Sequence, residues 1–248
     1  MNHTIFDCNC MLGPRADGNP DEPSSLEQLR ENMDYYGIQR ALVSSATARD
    51  YSAPLGNEEL ATAISEEDNL GMVWTIDPIT CIREPERAMV TLDKYGAQAT
   101  ICYPKMHNYS LASWSLGNWL SLQEERQVPL LLPRDQADWI EIHALCEEHP
   151  KLPIILTRIS YREIHYLYAL WSKYKNLHID IAWLSIHRGL EAIAKAGFLD
   201  QVIFGSYYPY YCPGSALGIL EYANLNNTQK TQVACSTLEN LLASENLL

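Results

Sequence analysis

The sequence has no apolar stretch near the roughly 18 residues that a membrane-crossing helix requires. Its first residues, Met1-Asn2-His3-Thr4, carry neither a basic segment nor the apolar core of a leader. No membrane partner is expected, and the expected location is cytoplasmic. Basic residues are scarce: 18 Lys and Arg stand against 31 Asp and Glu, a net charge of −13. Such a chain has no general field for phosphate backbones, so no nucleic-acid partner is expected. A glycine-rich turn is also missing after the first apolar run. Cys10-Met11-Leu12-Gly13-Pro14 holds one glycine, so there is no dinucleotide fingerprint and no such cofactor is expected. The seven cysteines are an odd number, most of them within apolar runs, and read as buried free thiols. Phenylalanine is rare, 3 against 15 tyrosines.

What is present is an alternation of short apolar runs with longer stretches of helical period, continuing to the end of the chain. Strands are expected at 4–10, 41–45, 72–76, 99–103, 129–132, 153–157, 177–182 and 201–205. Helices are expected at 57–68, 84–95, 116–126, 136–148, 161–174, 187–196, 215–224 and 228–243, and one more from a capping box at Ser24-Ser25-Leu26-Glu27 to Gly37. The runs are apolar almost throughout, as in Ile154-Ile155-Leu156, which suits parallel strands covered by helices. Eight strand–helix units in 248 residues predict an α/β fold with a single (β/α)8 TIM barrel as one domain, 1–248. An open doubly wound sheet is the alternative.

Several landmarks carry a resemblance. Ile5-Phe6-Asp7-Cys8-Asn9-Cys10-Met11-Leu12-Gly13 is followed in order by Gly37-Ile38-Gln39-Arg40-Ala41-Leu42-Val43, Ile76-Asp77-Pro78, Tyr103-Pro104-Lys105-Met106-His107 and Phe204-Gly205-Ser206-Tyr207-Tyr208-Pro209. Together they resemble the amidohydrolase-related family, TIM-barrel metal-dependent hydrolases and decarboxylases of the amidohydrolase superfamily. The resemblance implies five metal ligands: two histidines after strand one, one each after strands five and six, and an aspartate after strand eight. Here those positions hold Asn9, Met11, Pro133, Arg158 and Tyr207. None is a usual ligand for zinc, which takes imidazole, thiolate or carboxylate, and a fixed cation at Arg158 repels a divalent metal. The expectation is a diverged member with no metal and no cofactor.

Other clusters do not replace the site. In Cys8-x-Cys10, strand alternation gives the thiols the parity opposite to Asn9 and Met11, so they are expected to face the helices. His143, Glu147, Glu148 and His149 lack the order of a helical zinc motif and read as a solvated helix end. Trp74, Trp114, Trp119 and Trp183 are expected to pack.

In such barrels function lies at the carboxyl ends of the strands. Lys105, Arg134 and Arg158 follow strands four, five and six, and their convergence points to a small anionic ligand. Asn9, Tyr207 and Tyr208 complete the expected binding set, while His107 and Asp180 are the candidate general acid–base groups. The competing reading pairs the three cations with Asp7, Asp135 or Asp180 in a structural network. Three functions follow from these residues: a metal-free binder of a small anion with no catalysis, a metal-independent hydrolase or lactonase acting on a small carboxylate-bearing substrate, and a non-catalytic partner-binding scaffold. The resemblance also allows a homo-oligomer.

Overall fold

The computed structural model describes residues 3–16, 18 and 24–243. Eight parallel strands run in sequential order: β1 (Phe6–Leu12), β2 (Arg40–Ser45), β3 (Leu70–Thr75), β4 (Ala97–Ile101), β5 (Leu130–Pro133), β6 (Ile154–Thr157), β7 (Leu177–Asp180) and β8 (Val202–Ile203). The barrel nearly closes where Cys8 N–H donates to the Phe204 carbonyl at 3.0 Å and Met11 N–H to the Tyr208 carbonyl at 2.9 Å. An α/β barrel is therefore the fold, and the open-sheet alternative falls away. Among the described residues no helix is long and apolar enough to cross a membrane.

The helices that position the mouth are α1 (Leu26–Tyr36), α2 (Ala46–Asp50), α3 (Ala53–Ala63), α4 (Pro78–Arg83) and α5 (Pro85–Lys94). On the far side are α6 (Gly117–Glu125), α7 (Trp139–Glu148), α8 (Ile164–Trp171) and α9 (Gly189–Ala196). Helix α1 is capped by Ser25 with Gln28, one residue beyond the expected box, and ends at Gly37 in the left-handed region, φ 66°. Helix α2 was not legible, because the serine that starts it belongs to the apolar run of β2. Ser45 Oγ accepts from Ala48 N–H. Gly56 then lets α3 pass against α2, since a Cβ there would lie 2.1 Å from Ala48 N. The expected strand at 201–205 is ordered as a ladder only at Val202–Ile203, and the expected helix at 228–243 is broken by a π turn, Gln232–Ser236. The Val233 carbonyl of that turn accepts from Phe204 N–H at 2.8 Å, so the turn and β8 hold one another.

Two packing expectations are corrected. Trp114 is 82% exposed, whereas Trp74 and Trp119 pack together with ring centres 5.6 Å apart. His149 is buried, with Nδ1 3.1 Å from Glu124, because it caps the end of α7 beneath the barrel and does not stand in solvent. All seven cysteines are free thiols. Six are buried and Cys212 is exposed.

Candidate functional site

Along β1 the strict side-chain alternation fails. The β1–β2 register shifts between Asp7 and Cys10, so β1 carries an extra residue there. The gap is filled by the Asp7 carboxylate: Oδ1 accepts both Asn9 N–H and Ser206 N–H at 3.0 Å, taking the place of a backbone carbonyl. The bulge also turns the thiols. A Cβ on Gly205 would meet Asp180 Cβ at 2.9 Å and Cys8 Sγ at 3.0 Å, so only glycine lets them approach. Cys10 Sγ lies 3.9 Å from Ser206 Oγ. Both thiols thus lie in the seam with Asp7 and Asp180, and the expectation that they face the helices is wrong by the bulge.

Asn9 donates Nδ2–H to Asp180 Oδ2 at 2.9 Å, and Arg158 N–H approaches Asp180 Oδ1 at 3.3 Å. Burial pushes the Asp180 carboxyl up to about 7 against the pull of these two donors, and the neighbouring Asp7 charge adds to the rise. Burial likewise raises Asp7, whose Oδ2 finds no partner, and holds Cys8 and Cys10 well above the usual thiol range. These thiols are neutral near pH 7.

Above this layer sits Arg158, in the left-handed region at φ 64°, with Tyr207 at φ 59°. Non-glycine residues adopt that backbone at a cost and often at functional sites. Arg158 Nη1 donates to the Tyr207 hydroxyl at 3.2 Å, Nη2 pairs with the Asp135 carboxylate, and the buried Nε has no partner. Tyr207 stacks on Tyr210 with ring centres 4.7 Å apart, and Arg15 lies over Tyr210 at 4.3 Å.

The other expected residues fall into separate groups. Lys105 Nζ donates to the Asp135 backbone carbonyl at 3.0 Å, which brings it to the same residue as Arg158. Arg134 pairs instead with Glu163 at 2.8 Å and lies over the Trp139 ring at 4.3 Å. The three cations therefore do not share one open pocket, and protein acceptors meet each of them. Tyr208 is buried with Cys10, Arg15 and Glu31 as its charged or titratable neighbours, away from Arg158, and burial raises its phenol to about 12. His107 donates from Nε2 to the Arg49 carbonyl at 2.7 Å.

Sequence reasoning missed Arg49. It lies in α2, a helical turn beyond the end of β2, and so escaped a search of residues directly following the strands. Its guanidinium is bound by both Asp50 carboxylate oxygens and by the Tyr210 hydroxyl. Arg49 and Arg158 both act on the phenols of Tyr103 and Tyr207, opposing the rise that burial causes. A cavity of about 640 Å³ opens beside Arg49 and His107, with Asp77 and Met106 in its wall.

At the ligand positions that the resemblance implies, the side chains are otherwise engaged or carry other chemistry. The Asn9 amide is a donor to Asp180, the Arg158 position carries a guanidinium, and the Tyr207 hydroxyl accepts from that guanidinium. Pro133 has no side-chain donor atom and Met11 has only a thioether. Among the described residues no group of three or more His, Cys, Asp or Glu is placed to hold a metal ion.

No protein-family model and no curated protein matches the chain. Solved structures do. An uncharacterized TIM-barrel protein from Bordetella bronchiseptica is similar over 98% of this chain and 99% of its own, with TM-score 0.78 and 15% identity. 5-Carboxyvanillate decarboxylase from Sphingomonas paucimobilis is similar over 97% and 99%, with TM-score 0.74 and 13% identity. A probable 2-pyrone-4,6-dicarboxylic acid hydrolase from Acinetobacter baumannii, with citric acid bound, is similar over 97% and 99%, with TM-score 0.72 and 12% identity. At such identities the likeness is one of fold.

Proposed function

We propose that the chain is a diverged amidohydrolase-related protein whose barrel mouth binds a small carboxylate without metal-activated water. The observation that carries this reading is the state of Arg158. Its Nε is buried and unpartnered, while the adjacent Nη2 is held by Asp135, whose side chain is 59% exposed. Nε and Nη2 form the edge of a guanidinium that grips a carboxylate through two parallel bonds. A ligand carboxylate replacing Asp135 would satisfy both nitrogens. Asp135 is the exposed partner of the pair, so a ligand can reach its place from solvent. The Tyr207 hydroxyl at Nη1 fixes the orientation of the fork, and the Tyr207–Tyr210 stack gives the ligand an aromatic wall.

Calorimetric titration with citrate, 5-carboxyvanillate and 2-pyrone-4,6-dicarboxylate tests the reading. At least one is expected to bind, with affinity about tenfold or more weaker in Arg158→Met. Binding of none of them, or equal binding by the variant, would overturn it.

A second reading, metal-independent hydrolysis, is favoured by the Asp180 carboxyl at about 7, in the range that suits a general acid or base. Turnover of 2-pyrone-4,6-dicarboxylate that follows an ionisation near pH 7 and is lost in Asp180→Asn would support hydrolysis. Absence of turnover with binding intact would leave a binding protein.

A further inference from the structure

The mouth is acidic and open on its opposite side. The cavity beside Arg49 and His107 and a second one of about 500 Å³, between α3 and α5, have Ser52, Pro54 and Asp77 in both their walls. Asp77 is therefore common to two adjoining spaces. Its Oδ2 caps α4, accepting from Thr80 N–H at 3.1 Å and from the Thr80 hydroxyl. Among the described residues, its Oδ1 receives no hydrogen bond and no cation pairs with it.

The remaining charges are already balanced or of the same sign. Arg49 is held by Asp50, and Arg87 by Glu84 at 2.8 Å. Glu58 lines the second cavity, so the carboxylates of Asp77 and Glu58 both face these spaces, beside the Arg87 guanidinium held by Glu84. Beside them the walls are apolar: Trp74 and Leu55 on one side, Ile79 and Met106 on the other. Leu55, Ile79 and Met106 stand exposed.

We propose that this double cavity is a binding site for a small organic ammonium ion with an apolar body, and that Asp77 is its counter-ion. An ammonium carries donors only, which matches the unpartnered Oδ1 of Asp77 between the two spaces. Its hydrocarbon part covers the exposed side chains, and the net charge of −13 raises the local concentration of cations. The site is independent of Arg158 and of the anion reading above.

The test is calorimetric titration with phenethylamine, alongside the neutral 2-phenylethanol and the anion 3-phenylpropionate. Asp77→Asn is the informative variant, because asparagine caps a helix as well as aspartate does and α4 keeps its start. An unchanged unfolding midpoint establishes that the variant is folded. Phenethylamine is expected to bind the wild type and Arg158→Met alike and to bind Asp77→Asn about tenfold more weakly, with the alcohol and the acid much weaker than the amine. No binding of phenethylamine, equal binding by folded Asp77→Asn, or equal binding of 2-phenylethanol would overturn the proposal. Loss of carboxylate binding in Arg158→Met with amine binding intact would separate the two sites.

Discussion

On the β7–β8–β1 side of the mouth the carboxyls of Asp7 and Asp180 are wholly buried and accept backbone amides, while on the β2–β4 side Asp77 keeps one oxygen free and Ile79 and Met106 stand in solvent. The same residue type does different work in the two places. In the seam a carboxylate repairs a break in the strand ladder, and burial shifts it toward the neutral form. Beside α4 a carboxylate caps a helix with one oxygen and leaves its other oxygen without a protein donor. Replacing either group should therefore affect different quantities: stability in the seam, ligand affinity in the cavity.

The largest effect is expected at Asp7. Alanine there leaves the buried amides of Asn9 and Ser206 without an acceptor, each worth about 1–3 kcal/mol when orphaned. Asp7→Ala should lose on the order of 3–5 kcal/mol in urea unfolding. A loss below about 1 kcal/mol would show that the ladder does not depend on this carboxylate and would erase the contrast with Asp77.

Asp180 sharpens the comparison through pH. Its carboxyl ionises near the ordinary aspartate value of 3.8 in the unfolded chain and at about 7 in the fold. The stability gained by keeping it neutral is fully present below pH 3.8, falls by about 1.4 kcal/mol per pH unit as pH rises, and is lost above 7. Asp180→Asn imitates the neutral form, with one oxygen to accept and one group to donate. The variant should lack that slope between pH 4 and 7 and gain on the wild type at pH 8. Parallel pH–stability curves for the two proteins would mean that the buried carboxyl ionises as freely in the fold as outside it.

The barrel was legible because each strand is buried on both faces and so reads as a continuous apolar run. The end-of-strand rule singled out Lys105, Arg134 and Arg158, and the family resemblance drew notice to Asn9 and Tyr207. What it could not give was the company these residues keep. Glu163 diverts Arg134 from the next loop along the chain, and one exposed residue, Asp135, meets both Lys105 and Arg158. The parity of Cys8 and Cys10 was misread because a bulge shifts the two-residue period and leaves no mark in composition. Asp77 was visible only as part of a family landmark. Its importance lies in two cavities that meet behind it, which depend on Gly56 letting α3 lie against α2.

The smallest effect is expected at the open side. Ile79 is 67% exposed in the first turn of α4, next to Pro78, and its side chain borders the cavity without belonging to the buried core. Exposed substitutions that remove no cap, no hydrogen bond and no core contact usually fall within about 0.5 kcal/mol of neutral. Serine is acceptable near a helix start, where its hydroxyl finds backbone groups to bond. Ile79→Ser should therefore leave the urea midpoint nearly unchanged while lowering phenethylamine affinity a few-fold, since it removes apolar wall from the cavity. Destabilisation of more than about 1 kcal/mol would place Ile79 among the packed residues and show that this rim is part of the fold's support. An affinity unchanged at equal stability would move the ligand's apolar part to the Trp74 and Leu55 side of Asp77.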